Sequence, residues 1–69
     1  MEITIDKEAD AAYIYLKDIA PGESAKTIRA SKHVLLDYDI NGMLLGIELL
    51  FVSENFPKDF LSTVSVENI

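Results

Sequence analysis

Whatever chemistry this sequence can do must come from a short set of side chains: His33, Asp37, Asp39 and Glu48. His33 is the single histidine, the residue type suited to general base work or metal ligation near neutral pH. Asp37 and Asp39 alternate in one apolar run and Glu48 lies in the next, so pairing of the two runs puts three carboxylates on one face. Such a set could hold a divalent ion or do acid/base work. The plainer reading is that Asp39 stabilises a turn, Asp37 and Glu48 keep an exposed face wetted, and His33 opens a strand at the surface. Asp6-Lys7-Glu8-Ala9-Asp10 has the alternating carboxylates of a calcium loop but lacks the central glycine and the distal glutamate. A turn whose Asp6 carboxylate accepts backbone amide bonds explains it better. None of the serines sits in a nucleophile motif, there is no cysteine, and Gly22, Gly42 and Gly46 are too far apart to cradle a phosphate. No cofactor is implied.

The elements that would position these groups are mostly strands. Ile3-Thr4-Ile5 is a short alternating run before the Asp6–Asp10 break. Ala11 to Leu16 carries branched and aromatic residues on both pleat faces, which predicts an internal strand. Pro21-Gly22 marks a turn, and Ser24 to Ala30 has the charged, half-exposed pattern of an edge strand. Val34 to Tyr38 and Met43 to Phe51 flank Asn41-Gly42, the signature of a two-residue hairpin turn. That turn sets Ile40 opposite Met43, Tyr38 opposite Leu45, Leu36 opposite Ile47 and Val34 opposite Leu49 on a core face. The second face then carries Asp39 opposite Leu44, Asp37 opposite Gly46 and Leu35 opposite Glu48. A three-residue loop with a glycine bulge shifts the pairing by one and mixes polar with apolar groups, so the two-residue turn is preferred. A short helix is predicted to begin near Pro57, and Thr63 to Val66 either frays or adds a strand.

These elements predict a mainly β, β-rich α+β protein. Its expected form is an antiparallel five-strand meander sheet over residues 1–52, with 53–69 as a C-terminal loop, helix or arm of the same domain. A chain of 69 residues without cysteine builds a thin core and has no disulfide to reinforce it. Several leucines would remain on the second face, a larger patch than monomers usually tolerate, so association, most simply as a two-fold homodimer, is expected. The contact residues expected are Leu35, Leu44 and Leu50, with Phe56 and Phe60 as aromatic anchors. Twelve acidic against six basic residues give a net charge of −6, the wrong sign for nucleic acid or a membrane surface and the right one for a basic protein partner. Lys26, Arg29 and Lys32 read as a solvated edge. Without a basic leader or a long apolar run, a cytoplasmic location is expected.

Ile3-Thr4-Ile5-Asp6, Glu8 through Leu16, Asp37-Tyr38-Asp39, Gly42 and Gly46-Ile47-Glu48-Leu49-Leu50 occur in an order and spacing that resembles a prokaryotic family, domain of unknown function 2283, over about Met1 to Val52. Lys7 stands where that family commonly has proline, and Ala12 where it often has leucine. The resemblance implies a small β-rich domain with no assigned reaction. It also implies a gene neighbourhood shared with small toxins, hence an antitoxin-like role. Together these point to a non-enzymatic, self-associating interaction module. The alternative is a small-ligand or metal-dependent enzyme with its site between protomers, built from Asp37, Asp39, Glu48 and His33.

Overall fold

The computed structural model of the chain describes residues 1–59 and 66–68. Its strands are β1 (Glu2–Asp6), β2 (Ala11–Tyr15), β3 (Lys26–Ser31), β4 (Val34–Tyr38), β5 (Leu44–Leu50) and β6 (Val66–Asn68), with a short helix α1 (Val52–Asn55) after β5. The expected five-strand antiparallel sheet is present, but its order is β3-β4-β5-β2-β1, and β6 is added beside β1. A sequential meander would have set β3 beside β2. β5 holds that place because it is the longest strand and apolar on both faces, which suits the middle of a sheet. β3, exposed at all six positions, takes the edge. The connection from Leu16 to Ala25 therefore runs past the ends of β5 and β4, fastened by Lys17 to Glu23 and by the amide of Ala20 to the same carboxylate.

The β4–β5 hairpin corrects the expected turn. Asp39 and Met43 close a loop of three residues, Ile40-Asn41-Gly42: the Asp39 amide donates to the Met43 carbonyl and the Gly42 amide to the Asp39 carbonyl. Asp39 Oδ1 accepts the amides of Asn41 and Met43 at 2.8 and 2.9 Å, and Gly42 takes a φ of 85°, which glycine adopts without strain. Such a loop shifts the pairing by one, and Tyr38 accordingly pairs with Leu44. Leu45 then stands unpaired as a bulge, and beyond it Asp37 pairs with Gly46, Leu36 with Ile47, Leu35 with Glu48 and Val34 with Leu49. Turn and bulge cancel, so the register along most of the hairpin is the one the two-residue turn predicted. Near the tip it is not. Ile40 and Met43 lie exposed instead of on a core face, and Leu44 stands opposite Tyr38 instead of Asp39, which takes it off the second face.

Register sorts the side chains. Ile3, Ile14, Ile47 and Leu36 form one row across four strands, and Ile5, Ala12, Leu49 and Val34 form the next. These rows make the apolar side of the sheet. Val52 of α1 is buried there against Ala12 and Leu49, and Phe56 packs against the same cluster with Ile5, Ile14, Val34 and Ile47. β5 and β6 run parallel, since each is related to β1 through the ladder, and α1 begins the passage between them on this side. Lys58 and Asp59 are helical, as expected after Pro57; Phe60 and Thr63 to Ser65 lie outside the described residues.

The chain turns from β5 into α1 within a single residue, Phe51, whose φ of 53° is in the left-handed region and unfavourable for a phenylalanine. Asp10, in the β1–β2 turn, holds it there. Its carbonyl accepts the Val52 amide at 3.0 Å, and its carboxylate accepts the Ser53 amide at 3.1 Å and the Ser53 hydroxyl at 2.7 Å. Asp10 itself has a φ of 55°, a conformation aspartate tolerates. The other acid of that turn, Asp6, accepts the amides of Glu8 and Ala9 at 3.1 Å, as the sequence predicted. Replacing Asp10 by Ala removes the remote cap of α1, and urea denaturation is expected to show a loss of about 1–2 kcal/mol. A loss of a few tenths or less would mean that packing of Val52 and Phe56 alone fixes the helix.

Candidate binding face

The other side of the sheet is not covered by α1 and carries the polar groups. Its rows, read from β1 to β3, are Glu2-Tyr15-Gly46-Asp37-Thr27 and Thr4-Tyr13-Glu48-Leu35-Arg29, and Leu50 lies beyond the second. Gly46 makes the first row possible. A Cβ there would fall 2.4 Å from the Tyr13 ring, so only a glycine lets that ring lean across β5. The Tyr13 hydroxyl thereby reaches Asp37 Oδ2 and donates to it, while the Thr27 hydroxyl donates to Oδ1. One carboxylate thus ties β2, β4 and β3 together. Burial, then the hydrogen bond to Asp37 and the negative charge of that group, push the Tyr13 phenol far above its ordinary range. It stays neutral and donating. The Tyr15 ring lies beside it, centroids 4.6 Å apart and tilted by 52°.

Glu48 stands half-buried beside Tyr13 in the second row and forms no ion pair among the described residues. At the end of that row Thr4 is 6% exposed, and its hydroxyl oxygen is buried without a hydrogen-bond partner among the described residues. Thr4, Tyr13, Tyr15 and Glu48 line a shallow groove of about 240 Å³, with Asp6 and Ala9 at its rim. A wider hollow of about 570 Å³ lies at the tip of the β4–β5 hairpin, between Lys26, Ile28, Tyr38 and Ile40. Its carboxylate, Asp39, is already engaged by the turn.

Of the four residues singled out for ion binding or acid/base work, Asp37 and Glu48 share the open side in adjacent rows, while Asp39 and His33 lie apart from them. Asp37 is bound to Tyr13 and Thr27, Asp39 to its own loop, and Glu48 lines the groove. His33 sits in the β3–β4 turn with its ring edge-on to Phe51, 5.9 Å between centroids, and its Nδ1 is buried without a partner among the described residues. Among the described residues no three His, Asp or Glu side chains gather where they could hold a metal. Of the expected contact residues, Leu35 and Leu50 lie half-buried on this open side, and Phe56 lies on the other side against the core cluster. Sequence reasoning missed Tyr13 and Thr4. Gly46, a lone glycine inside an apolar strand and flanked in the ladder by Tyr15 and Asp37, was the signal for Tyr13.

A small, mainly β domain with a short helix packed on one side of its sheet and an aromatic and acidic face on the other is the class that fold and site define. The chain belongs to the family described as a protein of unknown function, DUF2283, whose profile matches residues 2–53. No curated protein and no solved structure matches it. The matched stretch takes in β1 to β5 and the first two residues of α1. Among the described residues no helix is long and apolar enough to cross a membrane.

Two outcomes follow from the Tyr13–Gly46–Asp37 arrangement. Gly46→Ala should destabilise the protein by about 1–3 kcal/mol, as overpacking does, and by much less in a Tyr13→Ala background where the ring is gone. Urea denaturation of the four proteins of this cycle checks it; additive losses would show that the ring does not depend on the glycine. The second concerns pH. The folded state keeps the Tyr13 proton while the unfolded chain releases it near pH 10, so this contribution is complete below about pH 10 and declines as pH rises further. Tyrosinate absorbance should show one of the three tyrosines ionising only as the protein unfolds, and Tyr13→Phe should abolish that component.

Proposed function

We propose that the chain is a non-enzymatic protein-interaction module that self-associates through the open side of its sheet. The observation that supports this most directly is that Val52 and Phe56 pack on one side only, while on the other, where no described helix lies, Tyr13, Tyr15, Leu35 and Leu50 stand half-buried. Half-buried aromatics and leucines held on a rigid, hydrogen-bonded sheet bury apolar area on association with little loss of side-chain freedom. The homodimer is the simplest such assembly, and a cytoplasmic setting suits a chain with no cysteine. A net charge of −6 supports a basic protein as a further partner, and an antitoxin-like role is one form that partnership takes.

A metal-dependent or ligand-dependent enzyme with a site between protomers has less support, because Asp37 and Asp39 already accept two hydrogen bonds each. Calorimetric titration with magnesium, calcium, manganese and zinc is expected to give no saturable heat. A stoichiometric heat that Glu48→Gln abolishes would favour the enzyme.

Light scattering after size exclusion should show a dimer at micromolar concentration, and Leu35→Glu or Leu50→Glu should shift it to monomer with an unchanged circular dichroism spectrum. A wild-type monomer at that concentration would overturn the proposal.

A further inference from the structure

The second row of the open side carries a charge pattern centred on Leu35. Arg29 pairs with Leu35 on one flank and Glu48 pairs with it on the other, so opposite charges lie one strand spacing to either side of a leucine. Each charge has capacity to spare. Arg29 uses one guanidinium N–H on the Lys32 carbonyl at 2.9 Å, and Glu48 forms no ion pair among the described residues.

We propose that two copies pack open side to open side about a two-fold axis running along β4 through Leu35, so that Arg29 of each protomer pairs with the partner's Glu48. The proposal rests on the reading above that this side is the one covered on self-association. A two-fold axis in the plane between two sheets reflects strand positions across itself, which sets β4 over β4 and β3 over the partner's β5. Leu35 then meets its own copy at the centre, and an Arg29–Glu48 pair closes each flank. Sheets stack about 10 Å apart, a gap that an arginine and a glutamate bridge together. Aligned sheets cross at about 30°, which displaces groups one strand from the axis by only about 2–3 Å.

The two placements that shift the axis toward β5 fail on charge. An axis through β5 sets Glu48 against its own copy, and an axis midway between β4 and β5 presses Glu48 onto Leu35, leaving a buried carboxylate without a partner. With the axis on β4, Asp37 is the like-charged residue that meets its mate. Its carboxylate is tied down in the sheet by the Tyr13 and Thr27 hydroxyls, which lessens that repulsion.

The test is a charge exchange on the full chain, read by sedimentation equilibrium, with circular dichroism to establish folding. Arg29→Glu and Glu48→Arg should each weaken the dimer by about 100-fold or more, because each sets like charges face to face. An equimolar mixture of the two variants should associate again as a heterodimer, since both of its flanks then carry opposite charges. The doubly exchanged chain should dimerise like the wild type. If each variant is folded but the mixture stays monomeric, the pairing is wrong; this includes the case in which Arg29 and Glu48 pair within one chain. Single variants that dimerise like the wild type while Leu35→Glu does not would overturn the pairing and leave the open-side reading standing. A monomeric wild type would remove both.

Discussion

A strand's side chains change sides with every one-residue slip, so the hydrogen-bond register of β4 and β5 decides what this sheet buries and what it shows. The loop Ile40-Asn41-Gly42 brings the strands together one step out of that register, and the bulge at Leu45 brings them back. Leu45 is only 1% exposed, so the unpaired residue is also a core residue and burial holds the bulge in place. With the correction, Ile47 and Leu49 meet Val52 and Phe56, while Glu48 and Gly46 lie with the tyrosines. Without it, Glu48 would turn into the apolar cluster. Both the thin core and the open acidic side depend on this local compensation.

How much of this the sequence discloses depends on how local each interaction is. The Asp6 turn was legible because its donors lie two and three residues on, and β3 was legible as an edge because its charges have nowhere else to go. The β4–β5 pairing was legible in its longer part, since alternation over Val34 to Tyr38 permits one register. The loop itself was not. Asn41-Gly42 serves a two-residue or a three-residue turn equally, and the decision rests on Asp39 binding two amides and on a bulge hidden in a run of leucines. Strand order was misread because sequential neighbours usually pair, whereas β2 finds β5 after a connection that bypasses two strands. The Tyr13–Asp37 bond joins residues 24 apart, and only the fold brings them together. The carboxylates looked like a possible set because they share a hairpin, but each has a structural partner or a separate place.

Three aspartates do much of the fastening. Asp10 caps a helix that has no cap of its own, Asp39 closes a loop, and Asp37 joins three strands. In a chain with few fully buried side chains, such bonds fix one geometry where packing alone would leave several. What is left over is informative for the same reason. Among the described residues Glu48, Arg29 and the Thr4 hydroxyl have capacity not taken up, and they lie in a single row with Tyr13 and Leu35.

β6 has a different significance from the other strands. It lies outside the stretch matched by the family profile, runs parallel to β1 and pairs with Ile3, Thr4 and Ile5. A chain cut after the matched stretch would present the backbone donors and acceptors of β1 as an unfilled slot, ready to take a strand from another molecule. β6 therefore acts as an intramolecular plug on that flank, shielding β1 from strand exchange with another copy.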